Sequence, residues 1–266
     1  MVVGNEKGGT GKSTLSMHVI TYLLKQGYKV ASVDVDARQG TLTRYVENRK
    51  NRLNETGENL LLPEHKAIFR SNLENIPDAE AEEKTWINDV VQSFADYDYI
   101  VFDTPGSDMH ISRYAHSFAD TLITPLNDSF VDLDMLVRLK SDSLDIIRPS
   151  TYSEMVWEQK KQKAIRSKGM IDWIVVRNRI SGIHSNNKQE IERVLQALSK
   201  RIGYRLAAGF GERVIFRELF LNGITLLDLA ETRTNISLSH IAAKQELTNL
   251  MNMIELPAVQ KRQATS

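Results

Sequence analysis

A glycine-rich segment near the start of the chain constrains the fold more than any other feature. Residues 4–13 read Gly-Asn-Glu-Lys-Gly-Gly-Thr-Gly-Lys-Ser and follow the apolar run Met1-Val2-Val3. The pattern G-x-x-x-x-G-K-[ST] is typical of a loop that joins a buried strand to a helix and wraps a polyphosphate. Glycines let backbone N–H groups approach phosphate oxygens, and the helix that follows presents its positive N-terminus. The segment therefore predicts an α/β domain that binds a nucleoside triphosphate.

The residue types in this loop predict individual roles. Lys12 is expected to reach the β- and γ-phosphates, and the hydroxyl of Ser13 is expected to bind Mg²⁺. The predicted nucleotide-binding residues of the loop are Gly8, Gly9, Thr10, Gly11, Lys12, Ser13 and Thr14.

Beyond the loop, short β-branched runs alternate with helical patterns, which favours a doubly wound, mostly parallel α/β sheet flanked by helices. The 266 residues suit one domain, so we expect residues 1–256 to form it and residues 257–266 to form a tail. Strands are expected at Val2–Val3, Val30–Val35, Tyr99–Asp103, Thr121–Pro125, Trp173–Val176 and Tyr204–Ala207. Helices are expected at Thr14–Gln26, Ala79–Ala95, Tyr152–Lys168 and Asn187–Ile202. The stretch from Tyr45 to Asp78 has no clear period, so no element is predicted there.

Composition excludes several classes of protein. The 34 basic and 34 acidic residues balance, so net charge indicates no partner. The chain has no cysteine, which excludes an iron–sulfur cluster held by cysteine ligands and fits the cytosol. No apolar run approaches the roughly 20 residues of a membrane helix. Near the C-terminus an apolar stripe lacks basic neighbours on its polar side, which favours docking onto the core over membrane binding. This stripe consists of Leu247, Leu250, Met251 and Ile254.

Lys7 indicates a particular type of phosphate loop. The motif from Lys7 to Ser13 resembles the deviant phosphate loop, K-G-G-x-G-K-[ST], of the ParA/MinD family of ATPases. The resemblance implies slow hydrolysis of ATP and a homodimer in which Lys7 reaches the partner's phosphates, as an arginine finger does. Lys7 is thus a predicted catalytic residue. Without a partner subunit, we expect its side chain to extend into solvent.

Two strand ends carry the candidate metal and switch residues. Asp34 and Asp36 resemble the D-x-D of the family's first switch, although Ala37-Arg38 replaces the usual proline before Gln39-Gly40. The resemblance implies that Asp36 activates the attacking water and that both carboxylates support the metal shell. The alternative is that they cap a loop.

The segment Tyr99–Gly106 looks like the second metal-binding element and its switch. Its apolar residues predict a buried strand that delivers Asp103 to the carboxyl edge of the sheet, where it is expected to hold Mg²⁺ with Ser13. Gly106 is expected to sense the γ-phosphate through its backbone N–H. Further along, Val175–Arg179 resembles the family's V-x-N-R element. Because an amide can both donate to and accept from an adenine edge, Asn178 is the candidate for base recognition.

Longer stretches resemble the MipZ group of division-site regulators within this family. They are Pro125–Asp132, Trp173–Arg179, Arg213–Phe220 and Gly223–Leu229, and the likeness covers nearly the whole chain. It implies ATP-bound dimers that bind DNA without sequence preference, interact with the partitioning protein ParB and inhibit polymerisation of the tubulin-like FtsZ. Such a protein is expected in the cytoplasm, associated with the nucleoid.

Basic residues on and after the helix at Asn187–Ile202 are the candidates for DNA contact. They could form a stripe that contacts phosphates without reading bases. The alternative is ordinary solvated charge, with Glu190 and Glu192 as partners. The candidates are Lys188, Arg193, Lys200, Arg201, Arg213 and Arg217, with Arg205 nearby.

Three other functions compete with this interpretation. A ParA-type partitioning ATPase shares the nucleotide chemistry and differs in its partners. A metabolic P-loop ligase or kinase needs a small-molecule acceptor, and Lys7 argues against it. A non-catalytic ATP-binding adaptor is disfavoured by Asp36 and Asp103.

Overall fold

A seven-stranded parallel sheet forms the centre of the molecule, and the sequence predicts its class and six of its strands. The computed structural model describes residues 1–35, 38–140, 145–181, 186–232, 237–254 and 256. The strand order is β3-β2-β4-β1-β5-β8-β9, and every neighbouring pair in this sheet is parallel. These strands are β1 (Val2–Val3), β2 (Val30–Asp34), β3 (Glu64–Ala67), β4 (Tyr99–Asp103), β5 (Thr121–Asn127), β8 (Asp172–Asn178) and β9 (Arg205–Ala207).

Helices cover both faces of this sheet. They are α1 (Lys12–Lys25), α2 (Thr41–Thr56), α3 (Ile76–Ser93), α4 (His110–His116), α5 (Phe130–Leu133), α6 (Thr151–Ser167), α7 (Asn186–Ile202), α8 (Ile215–Leu221) and α9 (Leu238–Met253). Successive strand residues point to opposite faces, so Val2 lies in one buried cluster and Val3 in the other. Residues of α3, α4, α6 and α7 belong to the first cluster, and residues of α1, α2 and α9 belong to the second. This arrangement confirms the doubly wound α/β class.

The stretch that showed no period contains most of α2 and all of β3. The buried positions of α2 are Leu42, Tyr45, Val46 and Arg49, which do follow a helical repeat. The repeat is hidden because a charged residue occupies a core position. Arg49 is fully buried, and its guanidinium binds both carboxylate oxygens of Asp228, at 2.7 and 3.0 Å. Strand β3 is an edge strand whose side chains are exposed or half-buried, so no apolar run marks it.

A small antiparallel hairpin was also not predicted. It pairs β6 (Val137–Leu139) with β7 (Ile146–Pro149) and stands apart from the main sheet. The predicted C-terminal docking is confirmed, because Leu247, Leu250, Met251 and Ile254 are all buried in the second cluster. Among the residues that the structure describes, no helix is both long and apolar enough to cross a membrane.

Candidate functional site

The glycine-rich loop connects β1 to α1 at the carboxyl edge of the sheet. Gly9 and Gly11 have φ angles of 73° and 88°, a left-handed conformation that glycine adopts without strain. Gly11 is the N-cap of α1, which starts at Lys12 and has no acidic residue in its first turn. The helix N-terminus therefore offers its N–H groups and positive dipole to an anion.

Both lysines of the loop make contacts within the chain. Lys12 is buried, and its Nζ donates to the carbonyl oxygen of Lys7 at 2.9 Å, so the side chain folds back over the loop. The Lys7 Nζ forms a salt bridge with Asp132, a buried residue of α5. The expectation that Lys7 extends into solvent in a single subunit was therefore wrong. A buried carboxylate 125 positions away along the chain attracts the ammonium group.

Ser13 and Asp103 meet at the start of α1, as expected of a Mg²⁺ site. Asp103 is buried at the end of β4 and accepts a hydrogen bond from Ser16 Oγ at 3.0 Å, and Ser13 also hydrogen bonds to it. Burial, followed by the nearby charge of Asp34, raises the pKa of Asp103 to about 7. A carboxylate beside a hydroxyl at this position fits a hard divalent cation, whose charge would offset the cost of burial.

Asp34 has a structural partner. Its Oδ2 accepts from the backbone N and the Oγ1 of Thr43, at 2.9 and 3.0 Å, and so caps the first turn of α2. The N-cap position itself is Gly40, which has no side chain for this task. Asp34 lies opposite Asp103 in the register of β2 and β4. Asp36, the predicted water-activating residue, lies outside the described residues.

Gly106 lies directly against the phosphate loop. A Cβ atom at this position would come within 2.8 Å of both Gly8 Cα and Gly8 N. Real Cβ atoms do not approach backbone this closely, so only glycine fits here. The predicted switch therefore contacts the loop that would hold the γ-phosphate.

A cavity of about 520 Å³ runs from the start of α1 towards α8 and α9. Gly11 and Thr14 line one end, and Asn178 lies beside them, where its Nδ2 donates to Thr10 O at 2.8 Å. The next residue, Arg179, has a φ angle of 53°, an uncommon conformation for a residue other than glycine, and its N–H donates to Asn178 Oδ1. The remaining wall includes Phe210, Gly211, Glu212, Arg213, Phe216, Arg217 and Leu247.

The candidate DNA residues lie on two sides of the sheet. Helix α7 packs on the first cluster, whereas Phe216, next to Arg217, packs on the second. Arg193 pairs with Glu190, and Arg213 pairs with Glu246 of α9. Lys200, Arg201 and Arg217 are exposed. The side chain of Lys188 lies outside the described residues.

Several residues of the site escaped sequence reasoning. Asp132 and Glu246 are ordinary acidic residues in the sequence, and only their contacts with loop residues distinguish them. Tyr152 is similar, because its hydroxyl donates to Gly4 O at 2.8 Å beneath the phosphate loop. The resemblance of Pro125–Asp132 to a known group was the one signal that could have indicated Asp132.

Comparisons with known proteins identify the family and the fold. A family model described as ATPase MipZ matches residues 1–258. No curated protein matches the chain. Among solved structures, apo McdA of Cyanothece is 20% identical with a TM-score of 0.63, covering 92% of this chain and 98% of McdA. An ATP complex of a Cyanothece McdA variant is 19% identical with a TM-score of 0.63, covering 93% and 95%. The MinD cell division protein of Aquifex aeolicus is 18% identical with a TM-score of 0.55, covering 94% and 96%. At these identities the likeness shows a shared fold.

Proposed function

This chain belongs to the MipZ family of ATPases, and on that premise we propose that it is an ATP-driven dimer switch that positions cell division. The observation that carries the proposal is the meeting of Ser13 and Asp103 beside the Lys12 loop. A helix N-terminus, a lysine and a hydroxyl–carboxylate pair together match the needs of a triphosphate with Mg²⁺.

The chain's own residues divide the chemistry among them. Backbone N–H groups of residues 8–14 bind the phosphates, and Lys12 neutralises the β- and γ-oxygens. Ser13 and Asp103 would hold Mg²⁺, which would supply charge stabilisation for the transferring phosphoryl group. Asp36 orients the attacking water. Gly106 is the point at which loss of the γ-phosphate changes the contacts of the following segment.

Dimerisation follows from the role proposed for Lys7. Its ammonium group stabilises charge on the partner's phosphates, so a single subunit hydrolyses ATP slowly at most. To do so, Lys7 must leave Asp132. The subunits therefore pair only when nucleotide is bound and the salt bridge between Lys7 and Asp132 is broken.

The downstream partners in this proposal are DNA, ParB and FtsZ. The ATP dimer binds DNA without sequence preference through exposed cations of α7 and α8, among them Lys200, Arg201 and Arg217. Pairing two subunits doubles each cationic surface, which makes DNA affinity depend on the nucleotide. DNA binding keeps the protein at the nucleoid in the cytoplasm, where it interacts with ParB and inhibits FtsZ assembly.

DNA binding by Asp36→Ala protein, measured with ATP and with ADP across a salt series, tests the proposal. We expect tight binding with ATP alone and a steep fall with salt, because several phosphate contacts release counterions. Lys12→Ala serves as the control that cannot hold the triphosphate. Equal binding with ATP, ADP and no nucleotide would reject the switch.

Two further measurements refine the assignment. Reversal of Arg201 and Arg217 to Glu should abolish DNA binding while the ATP dimer still forms, with Lys161→Glu on α6 as a matched surface control. An assay of FtsZ assembly then separates a division regulator from a ParA-type partitioning ATPase. Normal FtsZ assembly in the presence of the ATP dimer would favour the latter.

A further inference from the structure

The wall of the cavity opposite the phosphate loop is a continuation of β9. Beyond Ala207 the chain runs beside the end of β8, where Phe210 N donates to Arg177 O at 2.8 Å and Glu212 N donates to Ile180 O at 3.1 Å. In return, Ile180 N donates to Phe210 O at 2.9 Å. Gly211 thus lies opposite Ile180 in an isolated parallel bridge.

In such a ladder, alternate residues direct their N–H groups to opposite sides. The N–H of Gly211 therefore points away from β8, towards the edge of the sheet. Its acceptor is the Oε2 of Glu246 on α9, at 3.3 Å. The Glu246 carboxylate thus accepts the hydrogen bond from Gly211 that a carbonyl oxygen of a further strand would otherwise accept.

The carboxylate of Glu246 also binds the guanidinium group of Arg213, a second residue of this wall. Arg213 makes a forked salt bridge with both oxygens of Glu246, with Nη2 to Oε1 at 2.8 Å. The guanidinium also covers Gly211, where an added Cβ would lie 3.0 Å from Arg213 Nη1. Arg213 is therefore part of the cavity wall, while its predicted role in DNA contact stays a prediction.

Glu246 is attached to a rigid element. The next residue on α9, Leu247, is fully buried in the second cluster and itself lines the cavity. The start of α1 lines the phosphate end of this cavity. Asn178, the candidate for base recognition, donates to Thr10 O of the loop, and the carbonyl oxygen of its neighbour Arg177 accepts from Phe210 N of the wall. The wall formed by residues 210–213 is thus at the nucleoside end.

We infer that Glu246 is a positioning residue that sets affinity for the nucleoside part of ATP by fixing Gly211 and Arg213. Because α9 carries the carboxylate, the docking of this helix and the shape of the base pocket are coupled. This inference rests on the proposed nucleotide site and adds the residue that holds its base end.

Titration calorimetry with Mg²⁺-ATP and with Mg²⁺-tripolyphosphate, which lacks a nucleoside, tests the role of Glu246. Glu246→Ala should weaken ATP binding about tenfold, since a charge-assisted fork and one backbone hydrogen bond are lost. Tripolyphosphate binding should be unchanged. Glu246→Gln keeps an acceptor for Gly211 and should recover most of the loss. Gln245→Ala, an exposed neighbour that hydrogen bonds Asn249 on the same helix, is the matched control.

The outcomes separate this inference from the proposed function. If wild-type protein binds neither ligand, the nucleotide site itself is wrong. Wild-type ATP affinity in Glu246→Ala, or an equal loss for ATP and tripolyphosphate, would overturn the positioning role and leave the nucleotide site standing. Should Glu246→Ala fail to fold, Glu246→Gln with Arg213→Met decides the matter. That double variant keeps the acceptor for Gly211 but loses the fork, so it should lose about threefold in affinity for ATP and none for tripolyphosphate, and wild-type ATP affinity would overturn the inference.

Discussion

The Nζ of Lys7, in the phosphate loop, forms a salt bridge with the carboxylate of Asp132 in α5, the short helix that follows β5. Asp132 is held in turn, because its backbone N–H donates to Ser129 Oγ at 3.1 Å and its Oδ2 accepts from Asn127 N at 3.2 Å. A fixed, buried carboxylate thus holds the cation that the proposed dimer requires elsewhere. The salt bridge favours the single subunit over the dimer.

Asp132→Asn should therefore promote ATP-dependent dimerisation. The amide still accepts from Asn127 N but no longer holds Lys7 by charge. A partly exposed ion pair contributes up to about 1 kcal/mol, or about fivefold, and each dimer must break two of them, so half-dimerisation should need up to roughly 30-fold less protein. Sedimentation velocity with ATP measures this shift. Asp134→Asn, which removes the surface partner of Arg138, is the control. Weaker dimerisation of Asp132→Asn than of the control would contradict the competition.

Gly106→Ala should destabilise the nucleotide-free protein by about 1–3 kcal/mol, because the new methyl group collides with backbone that cannot move without displacing the loop. The control comes from the other side of this contact. A Cβ at Gly8 meets nothing within 4 Å, so Gly8→Ala should leave the free energy of unfolding nearly unchanged. Urea unfolding without nucleotide gives both values. Equal stability of the two variants would show that the switch backbone is mobile enough to absorb the methyl group.

Glu6→Gln should stabilise the protein at high pH. Glu6 Oε1 is buried without a hydrogen-bond partner among the described residues. Burial, followed by the charge of Asp108, raises the pKa of Glu6 to about 7. A raised pKa means that the folded state prefers the protonated form. The stability it contributes is complete below the unfolded pKa and is lost as pH rises through about 7.

Thermal unfolding at about pH 4 and about pH 8.5, on either side of the two pKa values, tests this. The Gln variant should resemble wild type at the lower pH and exceed it by about 1 kcal/mol at the higher pH, a figure reduced for the half-exposed position. Asp89→Asn, on the exposed side of α3, is the control for a general loss of negative charge. A gain of the same size at both pH values would show that charge at Glu6 is not the cause.

Tyr152→Phe should cost about 1–3 kcal/mol, because it leaves the buried carbonyl of Gly4 without its donor. The hydroxyl also hydrogen bonds Thr124 Oγ1 at 2.9 Å, which accepts from Trp173 Nε1 at 3.0 Å. Tyr114→Phe removes an exposed hydroxyl that donates to Asn88 and should change stability by less than about 0.5 kcal/mol. Guanidinium unfolding compares the two, and similar losses would exclude a special role for the buried network.

Sequence reasoning predicted the central strands and the loop for a definite reason. Parallel strands bring their carboxyl ends to one edge, so Ser13, which follows β1, and Asp103, which ends β4, are expected to lie near each other. Buried strands such as Tyr99–Asp103 are apolar runs that a pattern detects. Helix α2 escaped because Arg49 fills an apolar position, and β3 escaped because an exposed edge strand needs no apolar run.

The sequence by itself therefore determined the parallel α/β class, the phosphate loop and the strand-end residues that surround it, because local spacing and periodicity encode these features. Only the tertiary structure decided which charges are paired. Lys7 meets Asp132, Arg213 meets Glu246, and Arg49 meets Asp228 across 125, 33 and 179 positions of the chain. Coulomb attraction depends on distance in space, and no spacing along the chain predicts which carboxylate folding brings within reach of each cation.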